Sequence, residues 1–95
     1  MPLSSLKDLK ILVVDDDPST RLALRAVLRK QGYQVVEADN GQAGVDAVQA
    51  QRPHLVLMDV VMPVLDGYSA CAQMRLLTGD ESLPIVMLTA ADDMG

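Results

Sequence analysis

Leu55-Val56-Leu57-Met58-Asp59-Val60-Val61-Met62-Pro63 runs four apolar residues into one carboxylate, and Pro63 then marks a turn. An unbroken apolar run of this length predicts a strand of a parallel sheet, covered on both faces. A lone Asp at the end of such a strand is poorly placed for packing. It is well placed for chemistry, because ligands of open α/β sheets bind beyond the carboxyl ends of the strands. Lys10-Ile11-Leu12-Val13-Val14-Asp15 repeats the pattern, and Ile85-Val86-Met87-Leu88-Thr89 ends a third such run in a hydroxyl residue.

Helices are expected between these runs. Pro18 is favoured at a first helical position, so a helix should run from about Pro18 to Lys30. Leu22, Leu24, Ala26, Val27 and Leu28 supply its apolar face. Arg21, Arg25 and Arg29 make an i, i+4 row that reads as a solvated outer face. Gly32 stands where a left-handed residue commonly closes a helix. Tyr33–Ala38 alternates more and suits a strand nearer a sheet edge. Asp39-Asn40-Gly41 is a turn that caps a second helix from Gln42 to about Ala50, with Ala43, Ala47 and Val48 facing the sheet. Pro63 and Gly67 mark an irregular loop. A third helix covers about Tyr68 to Leu77, with Cys71, Met74 and Leu77 at core spacing. The alternation of strand and helix predicts an α/β fold: a parallel sheet with right-handed crossovers and helices on both faces.

At 95 residues the chain allows one domain, spanning 1–95. Apolar residues make up 49% of it, enough for a core, yet the only aromatics are two Tyr. The core must therefore be aliphatic, and stacking platforms for bases are missing. A net charge of −5 argues against nucleic-acid binding. The sole cysteine, Cys71, excludes an intrachain disulfide and reads as a small buried residue. His54, the only histidine, lies at a strand entrance and reads as a packing residue. The N-terminus has no signal-peptide pattern, and no apolar run approaches the ~20 residues of a membrane span. A soluble, cytoplasmic protein is expected.

A parallel sheet gathers the C-terminal ends of its strands on one edge. Asp15, Asp16, Asp59 and Thr89 should meet there. Three close carboxylates repel one another, and a hard divalent cation relieves that repulsion. Mg²⁺ is commonly held by one or two carboxylates together with a phosphate. The set suggests phosphoryl chemistry: a metal-held phosphate, a carboxylate nucleophile and a hydroxyl for a phosphate oxygen.

On these residues the chain resembles the receiver domain of two-component response regulators. The matching stretches are Ile11-Leu12-Val13-Val14-Asp15-Asp16-Asp17-Pro18, the run from Leu55 to Asp66-Gly67, and Pro84-Ile85-Val86-Met87-Leu88-Thr89-Ala90. The resemblance implies a flavodoxin-like, doubly wound parallel sheet of order 2-1-3-4. It implies a signalling module, not a turnover enzyme, in which Asp59 takes a phosphoryl group from a histidine kinase or phosphotransfer protein. Asp15 and Asp16 would position Mg²⁺ with Asp59 and the backbone carbonyl of Val61. Thr89 would be the phosphate-binding switch hydroxyl, and Ala90 would leave room beside the phosphate. Asp17 and Asp66 read as helix caps. The family pattern continues past the switch Thr with a helix, a strand ending in Lys-Pro and a final helix. This sequence has lysines only at Lys7, Lys10 and Lys30. The expectation is a truncated receiver, once followed by an output domain, with impaired phosphorylation and with self-association through an exposed fourth strand. A competing reading is a Mg²⁺-dependent phosphatase or phosphotransferase of the haloacid dehalogenase type, with Asp15 as nucleophile.

Overall fold

Strand and helix alternate along the chain as the apolar runs predict. The computed structural model describes residues 8–62 and 64–88. The elements are β1 (Lys10–Val14), α1 (Pro18–Lys30), β2 (Gln34–Ala38), α2 (Gly41–Gln51), β3 (Leu55–Asp59), α3 (Gly67–Thr78) and β4 (Ile85–Leu88). The strands form one parallel sheet of order β2-β1-β3-β4. Val14 pairs with Ala38 and Met58, and Asp59 pairs with Leu88, so the strands end level with one another. That edge carries the acidic residues. Among the described residues, no helix is long and apolar enough to cross a membrane.

Alternate strand residues point to opposite faces, and the two faces are covered unequally. On one face, α2 and α3 pack against each other and over the sheet. Leu12, Val14, Val56 and Met58 meet Val45, Val48, Ala70 and Met74 there. Met62 and Leu83 extend this core from the loops, which their sequence context did not reveal. On the other face α1 lies over β1 and β2. Ile11 and Val13 are buried, whereas Leu55 and Leu57 are only half-buried. The expectation that β3 is buried on both faces is thus corrected: its residues alternate between buried and half-buried.

Two helix faces also differ from their reading in the sequence. The half-buried stripe of α1 is Arg21, Leu24, Arg25 and Leu28, at i, i+3, i+4 and i+7. Leu22 and Val27 are 55% and 59% exposed. Arg21 and Arg25 therefore lie on the inward side, and of the predicted outer arginine row only Arg29 is exposed. The inward position is possible because Glu37 of β2 lies beneath them and pairs with both guanidinium groups. In α3, Met74 is fully buried but Leu77 is 51% exposed. The core stripe there is Gly67, Ala70 and Met74, and Leu77 stands beyond it in the last turn.

Helix ends follow the capping chemistry. Asp17, Asn40 and Asp66 each accept a backbone N–H in the first turn of α1, α2 and α3. Gly32 follows α1 at φ 100°. His54 has a structural bond: its Nδ1 accepts the backbone N–H of Lys10 at 3.0 Å, tying the entrance of β3 to β1.

Candidate functional site

Asp15 follows β1 directly and is only 6% exposed. It is held at three atoms. Its backbone N–H donates to Ala38 O at 3.1 Å, extending the ladder to β2. Its Oδ1 accepts the Asp17 N–H at 2.9 Å. Its backbone carbonyl accepts from Arg21 Nη1 at 2.7 Å. Asp16, the next residue, is exposed, and Asp59 ends β3 half-buried. One carboxylate oxygen from each of Asp15, Asp16 and Asp59 lies within 4.8 Å of the others. The Asp15 carboxyl is pushed above its ordinary range, first by burial and then by the Asp59, Asp16 and Asp17 charges. The Asp17 amide partly opposes this.

The neighbouring carboxylates are engaged elsewhere. Asp17 accepts from Ser19 N at 3.1 Å and from the Thr20 hydroxyl at 2.7 Å. Asp66 accepts the Ser69 amide at 2.9 Å and the Ser69 hydroxyl at 3.0 Å. Both are helix caps, as their positions before α1 and α3 imply. The trio fits a hard cation: its donors are all carboxylate oxygens, it converges from two strand ends, and one member is buried against its own charge.

The loop after Asp59 is tightly bounded. Gly67 N donates to Val60 O at 2.8 Å. A Cβ on Gly67 would fall against the Asp59 carbonyl oxygen and 2.8 Å from Val60 Cα. A Cβ on Gly41 would likewise strike the Leu65 carbonyl. Only bare backbone permits either approach. Val64 sits in the same loop at φ 73°, an uncommon conformation for a β-branched residue. Val61 follows Asp59 in the bend, its side chain 69% exposed. Pro63, Thr89 and Ala90 lie outside the described residues.

The sequence profile of the response regulator receiver domain matches residues 11–95. The chain belongs to this family. It is 40% identical over 83 residues to the protein PilH of Pseudomonas aeruginosa, covering 87% of this chain and 69% of PilH. It is 47% identical over 85 residues to the response regulator MprA of Mycolicibacterium vanbaalenii, covering 90% of this chain but 36% of MprA. The receiver thus spans about a third of that longer relative. Among solved structures it resembles the receiver domain of a Pseudomonas aeruginosa sensor histidine kinase, with TM-score 0.84 and 38% identity over 92% of this chain and 71% of the other. That structure has a magnesium ion coordinated in its active-site cleft. Receiver domains are signalling modules, and the flavodoxin-like sheet order agrees with this membership. The comparisons give no support to the haloacid dehalogenase alternative.

Sequence reasoning missed the Arg21–Glu37–Arg25 cluster beside the receiver's acidic trio. Its signal was present: a charged residue inside β2, and two arginines in phase with Leu24 and Leu28.

Proposed function

We propose that this receiver accepts a phosphoryl group on Asp59 in a Mg²⁺-dependent reaction. The observation that carries the proposal is the difference between the two strand-end carboxylates. Asp15 is buried, with Oδ1 already bonded to the Asp17 amide. Asp59 is partly accessible, and its side chain has no hydrogen-bond partner among the described residues. Asp59 is therefore the free nucleophile, while Asp15 and Asp16 serve as metal ligands with Asp59 and the Val61 carbonyl. When bound, the cation neutralises charge on the phosphoryl oxygens.

In the reaction, an Asp59 carboxylate oxygen attacks phosphorus of a phosphohistidine. A P–O bond forms as the P–N bond breaks, and the departing imidazole takes a proton from solvent. Thr89 supplies a hydroxyl to a phosphoryl oxygen, and Ala90 leaves space beside it. The donor is a sensor histidine kinase or a phosphotransfer protein, which places the receiver in the cytoplasm. Residues 1–95 belong to one receiver domain. These assignments draw support from family membership and from the Asp trio.

Acetyl phosphate with Mg²⁺, read by intact mass and peptide mapping, tests the assignment. One phosphoryl group should appear on the peptide containing Asp59 and vanish in Asp59→Asn. A label on Asp15, or one that survives Asp59→Asn, overturns it.

A further inference from the structure

We propose that Arg21 is a positioning residue for the metal ligands Asp15 and Asp16, an inference that rests on the phosphoacceptor reading above. The geometry concerns one peptide plane. The carbonyl of Asp15 belongs to the peptide that joins Asp15 to Asp16, so whatever holds that oxygen orients both residues at once. Arg21 Nη1 holds it at 2.7 Å from the first turn of α1. The Asp15 side chain is held separately, its Oδ1 accepting the Asp17 amide.

Arg21 is itself held in place. Its Nε lies 3.4 Å from Glu37 Oε1, while Arg25 Nη1 lies 2.7 Å from Glu37 Oε2. Glu37 pairs in register with Val13, two residues before Asp15, so its anchor is the adjacent strand of the same sheet. All three side chains are substantially covered, with 20%, 34% and 24% exposure for Arg21, Arg25 and Glu37. One planar guanidinium thus spans two acceptors with two different nitrogens. A lysine ammonium offers one nitrogen and cannot reproduce that fork.

Charge and position predict opposite signs. Arg21 is a cation close to an acidic trio, so by charge alone its removal would tighten Mg²⁺ binding. As a support for the ligand loop, its removal loosens binding. Loss of an outer-shell support typically weakens a metal site by about tenfold or more. Arg25 is the matched control. It carries the same charge and shares Glu37, but has no bond to Asp15.

The test is a Mg²⁺ titration of the ¹⁵N-labelled chain, following backbone amides by NMR, with the same spectra reporting the fold. Arg21→Ala should bind Mg²⁺ about tenfold more weakly, Arg21→Lys should recover part of the loss, and Arg25→Ala should bind like the parent. In the metal-free spectra the Asp16 amide, which shares the peptide plane with the Asp15 carbonyl, should move in Arg21→Ala and stay in Arg25→Ala. Equal or tighter binding by Arg21→Ala overturns the inference, as does equal weakening by the two alanine variants. If Arg21→Ala does not fold, Arg21→Lys decides: weaker binding supports the clamp, and parental binding defeats it. A parent chain that binds no Mg²⁺ instead overturns the phosphoacceptor reading, while the Asp16 amide still reports whether Arg21 sets that peptide.

Discussion

At the scale of single residues, the site works against the stability of the metal-free fold. Burial raises the Asp15 carboxyl above its ordinary value of 3.8. The folded chain then binds that proton more tightly than the unfolded chain does. The stabilisation that accompanies this is complete below the ordinary value and is lost as pH rises through the folded-state value. At neutral pH, ionised Asp15 is a cost. Asp15→Asn should therefore raise the metal-free melting temperature at pH 7, with the gain shrinking in acid, and should remove stabilisation by Mg²⁺. Calorimetry at two pH values checks both signs, and a lower melting temperature at pH 7 refutes the account. Asp17, Asp66 and Asp80 behave oppositely. Hydrogen bonds from Thr20 and Ser19, from Ser69, and from Ser82 hold their carboxyls low. Their contribution is present above the ordinary value and lost as pH falls through the folded one. Val64 is a different case, with positive φ and 81% exposure. It contributes little packing to offset a left-handed backbone, so Val64→Gly should stabilise the chain by about 0.5–1 kcal/mol in urea denaturation. No change, or a loss, would show that the loop has another conformation in solution.

At the scale of elements, caps and close approaches fix where each helix meets the sheet. Asn40 Oδ1 accepts the Ala43 amide at 2.8 Å, so Asn40→Ala should cost about 1 kcal/mol by denaturant titration. Gly67→Ala is expected to cost about 1–3 kcal/mol, because the added methyl must displace the Asp59 backbone. It should also slow acetyl phosphate labelling, which separates it from the Asn40 variant. Three strands were legible from their apolar runs and β2 from its alternation, and the helices from Asp17, Pro18, Asn40 and Asp66 at their starts. The phase of α1 was not. Counting apolar residues placed Leu22 and Val27 inward, whereas the helix turns Arg21 and Arg25 toward Glu37. A half-buried acid on a neighbouring strand outweighs local hydrophobicity, and one strand's charge cannot be assigned to a helix before the pairing is known.

At the scale of the whole molecule, the described sheet has one thick face and one thin one. Leu55 and Leu57 are half-buried, and Val86 of β4 is 46% exposed on the sheet edge. Exposed edges and apolar patches favour pairing. We expect the 95-residue chain to self-associate, with Val86→Lys reducing the effect. A dilution series in light scattering that shows a concentration-independent monomer would end this expectation. The convergence of Asp15, Asp16 and Asp59 was legible, because parallel strands must end together once their order is known. The Arg21 bond to the Asp15 carbonyl was not, since a backbone acceptor leaves no mark in the sequence.

Among the described residues, the loop between β3 and α3 has a wall on one side only. Gly41 stands against Leu65, and Gly67 against Asp59 and Val60, with no space for even a methyl group. Inward travel is therefore closed, while the solvent side, where Val61 and Val64 protrude, is open. The loop's excursions must be lopsided. Any rearrangement at Asp59 that needs more room has to push the loop outward, and larger residues at 41 or 67 would hold it there permanently.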